Sequence, residues 1–367
     1  MKYAMLWPLL LFCCSSLLAQ NAFQRAADQL AGHPSLRHGA ISLCVIDIES
    51  GRTLASVNER MSLRPASNLK LLTTGTALAL LGPDYRFETR LSHTGSISDQ
   101  GRLLGNLVLY GTGDPTLGSP YLPEAGKPEA VLSNFRLAVQ RAGIRAIDGQ
   151  IIADASRFGS RAICRSWQWE DLGNYYAAGT WSLNWHENLY LLHFQQQPQS
   201  RPPKVLGTVP YIPGMELINE LQSGPPGSGD QAYIYGGPYQ MQRYLRGSLP
   251  AGNGRFTIKG AIPDPPLFLA QALRQELEAI AIPSRSAHTT FTAVKGGRLL
   301  YAYRSPELRS IVERCNQESI NLYAEAMLRA IGWEKEQSGS IASGLAVLQS
   351  YWEGRGLSFE GIHLEDG

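Results

Sequence analysis

Ser67 and Lys70 form the chain's one Ser-Xaa-Xaa-Lys, set behind Pro65 at the start of an apolar segment. On a helix, residues three apart are neighbours on one face. A hydroxyl and a primary amine placed that way suit nucleophilic catalysis, because a serine hydroxyl is a weak nucleophile until a neighbour takes its proton. A desolvated lysine can be that neighbour, since burial disfavours the ammonium form. On spacing alone, the same residues would also serve as an ordinary helix start with a capping serine and a solvated lysine.

A second polar pair, Ser-Xaa-Asn, occurs three times: Ser56–Asn58, Ser182–Asn184 and Ser319–Asn321. The first ends an alternating segment and the second lies in a Trp-rich loop. The third opens an amphipathic segment, where a short polar loop would hold Ser319 and Asn321 toward a cleft. An N-terminal helix cap is the ordinary use of such a triplet.

The elements that must position these groups follow from patterning. Residues 67–81 read as a helix rich in leucine and alanine, stopped by Gly82-Pro83. A helix apolar nearly all round is a buried one, and its first turn is where a lysine could lose water. Segments 41–48 and 53–58 alternate around a turn and predict a hairpin. From about residue 85 short strands dominate: 86–91, 106–110, 150–154, 189–194 and 255–259. Helices interrupt them at 128–142 and 266–278, and 195–204 and 223–229 read as loops. Near 289 longer elements return. Segments 290–294 and 298–303 flank Lys-Gly-Gly as a second hairpin. One apolar helical face is then stopped by Gly332, and another by Gly354 and Gly356. The ends are α/β and the middle is β-rich, which predicts one domain (20–84 and 289–367) split by an insertion (85–288).

Composition narrows the class. The 367 residues are 44% hydrophobic and 17% charged, which is the balance of a folded protein of more than one domain. A net charge of +2 argues against nucleic-acid binding. Residues 1–19 read as a secretory signal: Lys2, then a short apolar run. Cys13 and Cys14 invite a lipoprotein reading, but Phe12 is too large for the residue before a lipidated cysteine. No second segment is long and apolar enough to span a bilayer, so membrane contact is at most peripheral. Cys44, Cys164 and Cys315 remain after the signal; three is odd, so at least one stays unpaired within the chain. No metal cluster or cofactor motif is evident.

Longer words surround the motifs: PASNLKLLTT at 65–74, GNLVLYGTGDPTL at 105–117, GQIIADASRF at 149–158, DLGNYYAAGTWSLNWHEN at 171–188, GAIPDPP at 260–266 and NQESINLYAEAMLRAIG at 316–332. Together, in this order, they resemble the D-alanyl-D-alanine carboxypeptidase/endopeptidase family, the class C low-molecular-mass penicillin-binding proteins (peptidase family S13). The resemblance runs from about residue 23 to 367. It implies an α/β (α+β) penicillin-binding transpeptidase/β-lactamase-like domain, with its antiparallel sheet flanked by helices and accessory domains inserted between the first two motifs. It implies serine hydrolysis of peptidoglycan stem peptides through an acyl-enzyme, β-lactams as inhibitors, and a place in the periplasm or cell envelope. Ser67 would be the nucleophile and its backbone N–H half of the oxyanion hole. Lys70 would be the base. Ser319, in contact with Lys70, would relay a proton to the leaving amine, while Asn321 would orient Lys70 and bind the substrate amide. Asp154 would lie near a pocket for the side-chain amine of diaminopimelate.

The family's third motif, Lys-Thr-Gly, does not occur here. The chain ends in Leu-Glu-Asp-Gly, where the family's Asp-Gly-Ser-Gly-Leu-Ser begins. The expectation is a sequence incomplete at its C-terminus, with the activity belonging to the intact protein. Two other readings stand beside it. One is a serine β-lactamase or esterase on the same fold, which needs a deacylating base. The other is a non-catalytic cell-wall binding protein.

Overall fold

A computed structural model describes residues 22–367, so the signal reading and Cys13 and Cys14 lie outside the described residues. The chain divides into two compact units, Met1–Ala66 and Ser67–Gly367. In the first, helix α1 (residues 22–31) precedes an antiparallel hairpin of strands Leu43–Ile46 and Thr53–Val57. The Gln24 side-chain amide both donates to the Ser56 carbonyl (3.0 Å) and accepts from its N–H (3.0 Å), tying helix to strand. Asn58 donates to the Ile41 carbonyl, so the first Ser-Xaa-Asn closes the hairpin.

The second unit mixes helices and sheets. Its helices are α2 (Lys70–Leu81), α3 (Pro128–Arg141), α4 (Pro265–Glu278), α5 (Leu308–Glu318), α6 (Asn321–Glu336) and α7 (Ile341–Glu353). A five-stranded sheet runs in the order Ala287–Thr290, Ile151–Asp154, Leu107–Gly111, Glu88–His93, Arg298–Arg304. The strands near 290 and 300 are therefore not a hairpin. They occupy opposite edges of this sheet, one parallel to Ile151–Asp154 and the other antiparallel to Glu88–His93. The boundary drawn at 288/289 does not mark a break, because Arg298–Arg304 pairs with a strand of the β-rich middle. Leu109, Ala153 and Phe135 are fully buried in the core of that region.

Strands Lys204–Val209, Glu216–Asn219, Gln231–Tyr235 and Gln242–Pro250 lie outside those the patterning predicts, as do the short strands Ser96–Ile97, Arg102–Leu104, Ala146–Ile147 and Gln222–Gly224. Their turns and glycines mask the alternation that marks a strand. Helix α5 was also missed, since only Leu308, Ile311, Val312 and Cys315 of its eleven residues are buried.

Helices α2, α5 and α6 share a second core built on Ala77, Ile311, Cys315, Tyr323 and Met327. The fully buried positions of α2 are not its leucines, although Leu78, Leu80 and Leu81 pack against this core. Thr73, Thr74 and Thr76 are buried, whereas Leu71 is 61% exposed. The hydroxyls are satisfied: Thr73 donates to the Gly367 carbonyl (2.8 Å), Thr74 to Lys70 O (2.7 Å) and Thr76 to Leu72 O (2.6 Å). Hydroxyls bonded in this way can replace aliphatic groups in a core without leaving polar atoms orphaned. Gly332 does not end α6, which continues to Glu336. It marks a close crossing: a Cβ there would lie 2.7 Å from Gly344 N of α7, and one on Gly344 would lie 2.3 Å from Leu328 O.

Candidate active site

Ser67 sits in a 3-10 turn, Ala66–Leu69, that runs straight into α2. In a 3-10 turn, side chains three apart eclipse one another. The Lys70 amine therefore reaches back to Ser67 Oγ at 3.0 Å. Ala66 holds φ +47°, a left-handed conformation that costs a residue with a Cβ about 1–2 kcal/mol. Ser67 is exposed while Lys70 is only 7% exposed.

Ser319 arrives from the other side. It is the C-cap of α5, at φ +57° and ψ +43°, in the short step between α5 and α6. That left-handed residue turns the chain so that Ser319 Oγ lies 2.8 Å from Ser67 Oγ. The nucleophile oxygen is thus flanked by an amine and a second hydroxyl. No carboxylate among the described residues is hydrogen-bonded to it. Backbone strain of this kind gathers where a fold holds reacting groups in place.

The Lys70 pKa is lowered, first by burial. Cys315, Asp366 and Glu325 act in the opposite direction but more weakly. The amine is shifted toward its neutral form, the form that can accept a proton from Ser67.

Two expected contacts differ. Asn321, the first residue of α6, donates its amide N–H to the Tyr176 carbonyl at 2.7 Å instead of orienting Lys70. Ser319 is bonded to the nucleophile, not to the lysine. Asp154 has another task altogether. It is 2% exposed, and its two carboxylate oxygens accept the N–H groups of Ser156 (3.0 Å) and Val294 (2.8 Å), fixing the strand exit. The carboxylate beside Asn321 is Asp171. It shares a cavity of about 250 Å³ with Trp167, Tyr176 and Asn321, and accepts the Tyr176 hydroxyl at 2.7 Å. The sequence offered a signal, since Asp171 opens the word that contains Tyr176, but nothing in one dimension placed that word against Asn321.

Ser182–Asn184 is structural. Both residues are 1% exposed, and Asn184 donates to the Gly113 and Asp114 carbonyls. Cys44, Cys164 and Cys315 are all free thiols. Among the described residues, Cys164, Glu325 and Asp366 form a group that could hold a metal, with ligand atoms within 4.8 Å of one another. Each is already engaged: Cys164 Sγ donates to Glu325 (3.4 Å), Gly367 N–H donates to Glu325 (2.7 Å), and Trp167 Nε1–H donates to Asp366 (3.0 Å). The buried Arg329 charge also acts on Glu325, so the trio reads as a knot tying residues 366–367 to α6.

This fold and its serine–lysine–serine contacts belong to a peptidase, a hydrolase. Residues 23–367 match the model of the D-Ala-D-Ala carboxypeptidase 3 (S13) family, and the chain belongs to that peptidase family. A D-alanyl-D-alanine carboxypeptidase of Actinomadura sp. (strain R39) is 26% identical over 379 residues, covering 99% of this chain and 68% of the relative. The D-alanyl-D-alanine carboxypeptidase DacB of Haemophilus influenzae is 22% identical, covering 88% of this chain and 65% of the relative. The chain thus spans about two thirds of the length of these relatives. The crystal structure of penicillin-binding protein 4 from Haemophilus influenzae superimposes with a TM-score of 0.74 at 20% identity, over 88% of this chain and 69% of that one. A complex of the same protein with a β-lactam gives a TM-score of 0.68.

Proposed function

We propose that Ser67, Lys70 and Ser319 perform acyl transfer on D-alanyl-D-alanine peptides of peptidoglycan, with β-lactams as acylating inhibitors. The observation that carries the reading is the Ser67 oxygen bonded at 3.0 Å to an amine shifted toward neutrality and at 2.8 Å to a second hydroxyl. With Lys70 neutral, the Ser67 O–H donates to the Nζ lone pair. Ser67 Oγ attacks the peptide carbonyl, and its proton passes to Lys70. Ser319, against the same oxygen, passes its hydroxyl proton to the leaving amine and takes back the proton held on Lys70, so that both groups end as they began. The C–N bond breaks and an ester to Ser67 remains. Water then cleaves the ester, releasing the shortened peptide as a carboxylic acid and restoring the serine. A crosslink is cut by the same steps when the leaving amine is branched.

The Trp167–Asp171 cavity supports a place for an ammonium on the acyl side, because a carboxylate there would meet it in a charge-assisted hydrogen bond. Export to the cell envelope fits the reading of residues 1–19 and the location of such peptides, and fractionation of cells expressing the tagged protein tests it.

The direct test is intact mass after incubation with a penicillin. The expected result is one adduct, mapped to the Ser67 peptide and absent in Ser67→Ala. An unmodified wild-type protein, or an adduct that survives Ser67→Ala, would remove the assignment.

A further inference from the structure

The Asn321–Tyr176 hydrogen bond separates two cavities, since both residues line each of them. The smaller contains Asp171. The larger, about 510 Å³, is the one that Ser319 also lines. Ser319 is the group that hands a proton to the leaving amine, so the cavity it lines lies on the leaving side of the scissile bond. Its size exceeds what a single alanine fills.

We propose that this cavity is a leaving-side subsite for an amine component bearing an additional carboxylate, with Lys259 and Arg314 as its cations. The inference rests on the serine-hydrolase reading above and deepens it.

Lys259 projects from strand Arg255–Ala261. Its ammonium lies 5.3 Å from the ring centroids of both Tyr121 and Tyr175, and no carboxylate among the described residues forms an ion pair with it. Ring faces hold a cation in place without cancelling its charge. Arg314, on α5, lies with its guanidinium 5.7 Å from the Tyr121 centroid. Its Nε is buried without a hydrogen-bond partner and sits 3.7 Å from Glu187 Oε1. That Glu187 oxygen already accepts the Ser119 (2.5 Å) and Tyr323 (2.7 Å) hydroxyls. Glu187 therefore balances one of the two cations from below and is itself spoken for. Glu318 is the remaining acid, exposed at the end of α5. The exposed Lys259 ammonium lies over two tyrosines, and the exposed Glu318 is the one acid of the lining left to balance it, with no ion pair between them. A carboxylate carried by that amine component completes the pairing.

The test uses two D-alanyl peptides that differ only in the leaving component, whose extra side chain ends in a carboxylate or in its carboxamide. The full-length protein is expected to favour the carboxylate by roughly three- to tenfold in kcat/KM. Lys259→Met should erase the preference and Lys259→Arg should restore most of it. In the unmodified protein the preference should shrink as salt rises, which needs no variant to fold. No preference in the unmodified protein, or one unchanged in Lys259→Met, overturns the subsite. The penicillin adduct on Ser67 tells the two failures apart. With the adduct present the subsite alone is lost; without it the hydrolase reading falls and takes the subsite with it.

Discussion

Ser319 Oγ lies 2.8 Å from Ser67 Oγ although 252 residues separate them in the chain. Two left-handed residues flank the contact in sequence, Ala66 just before the nucleophile and Ser319 itself. The second turns the chain from α5 into α6 so that a hydroxyl faces Ser67.

That geometry separates strain from chemistry at Ser319. Ser319→Gly removes the hydroxyl and relieves a left-handed Cβ worth about 1–2 kcal/mol. The variant should melt no lower than the wild type, while acylation by penicillin slows by roughly 10²-fold or more. A variant that melts higher yet acylates at the wild-type rate would show that the hydroxyl has no part in the reaction. Stopped-flow labelling and a thermal scan give both numbers.

Lys70 sets the pH dependence. Its pKa is lowered by burial, so raising the pH frees the base at a pH below the ordinary lysine range. Acylation should climb with pH and level off before that range is reached. Lys70→Arg should abolish the rise, because arginine does not deprotonate in proteins. Stability shifts in the same direction. The unfolded chain binds this proton more tightly than the native one, so the cost of burying Lys70 is present below its ordinary pKa and fades as pH rises. Lys70→Met should therefore raise the melting temperature most at neutral pH and least in alkali.

Asp114 should produce the opposite slope. It is 1% exposed, accepts the Thr116 N–H and hydroxyl, and leaves Oδ2 unpartnered. Burial pushes its pKa up to about 6. The native state then holds a proton that the unfolded state loses near pH 4, so stability falls as pH rises from about 4 to about 6. The loss is on the order of 3 kcal/mol. Denaturant midpoints across that window should show Asp114→Asn with a flatter profile than the wild type.

The helix crossing under the site admits no side chain. A Cβ on Gly344 would stand 2.3 Å from Leu328 O, a backbone atom with nowhere to go. Gly344→Ala should cost about 1–3 kcal/mol. Because α6 carries Asn321 at its first residue, the substitution should also slow acylation. An unchanged melting temperature would mean that α6 and α7 can separate freely.

Asp171 offers a test of substrate orientation. Asp171→Asn keeps the size of the side chain and its contact with the Tyr176 hydroxyl but removes the charge. It should weaken kcat/KM roughly tenfold for peptides with an ammonium on the acyl side chain and leave an acetylated version of the same peptide nearly unaffected. Equal losses on both peptides would dissociate Asp171 from ammonium binding.

The order of the motif words, the helix behind Pro65, and the one-turn spacing of Ser67 and Lys70 were all legible in one dimension. They are local, set by steric and hydrogen-bonding preferences over a few residues. The family followed from the same words. Other features depend on which surfaces meet. Threonines are the fully buried polar residues of α2, with Gly367 offering an acceptor and Trp352 a donor there, while Leu78, Leu80 and Leu81 pack against the core only partly buried. Gly332 looked like a stop, but its missing Cβ serves α7, a partner that no local pattern names. The resemblance pointed to Asp154, and nothing in one dimension singled out Asp171. Burial against two backbone N–H groups fixed the first as structural, and a cavity beside Asn321 left the second open to solvent chemistry. The sequence by itself determined which groups could react. Only the tertiary structure decided which of them share a few ångströms and which have lost their water, because distance and desolvation are properties of packed surfaces and not of the order of residues along the chain.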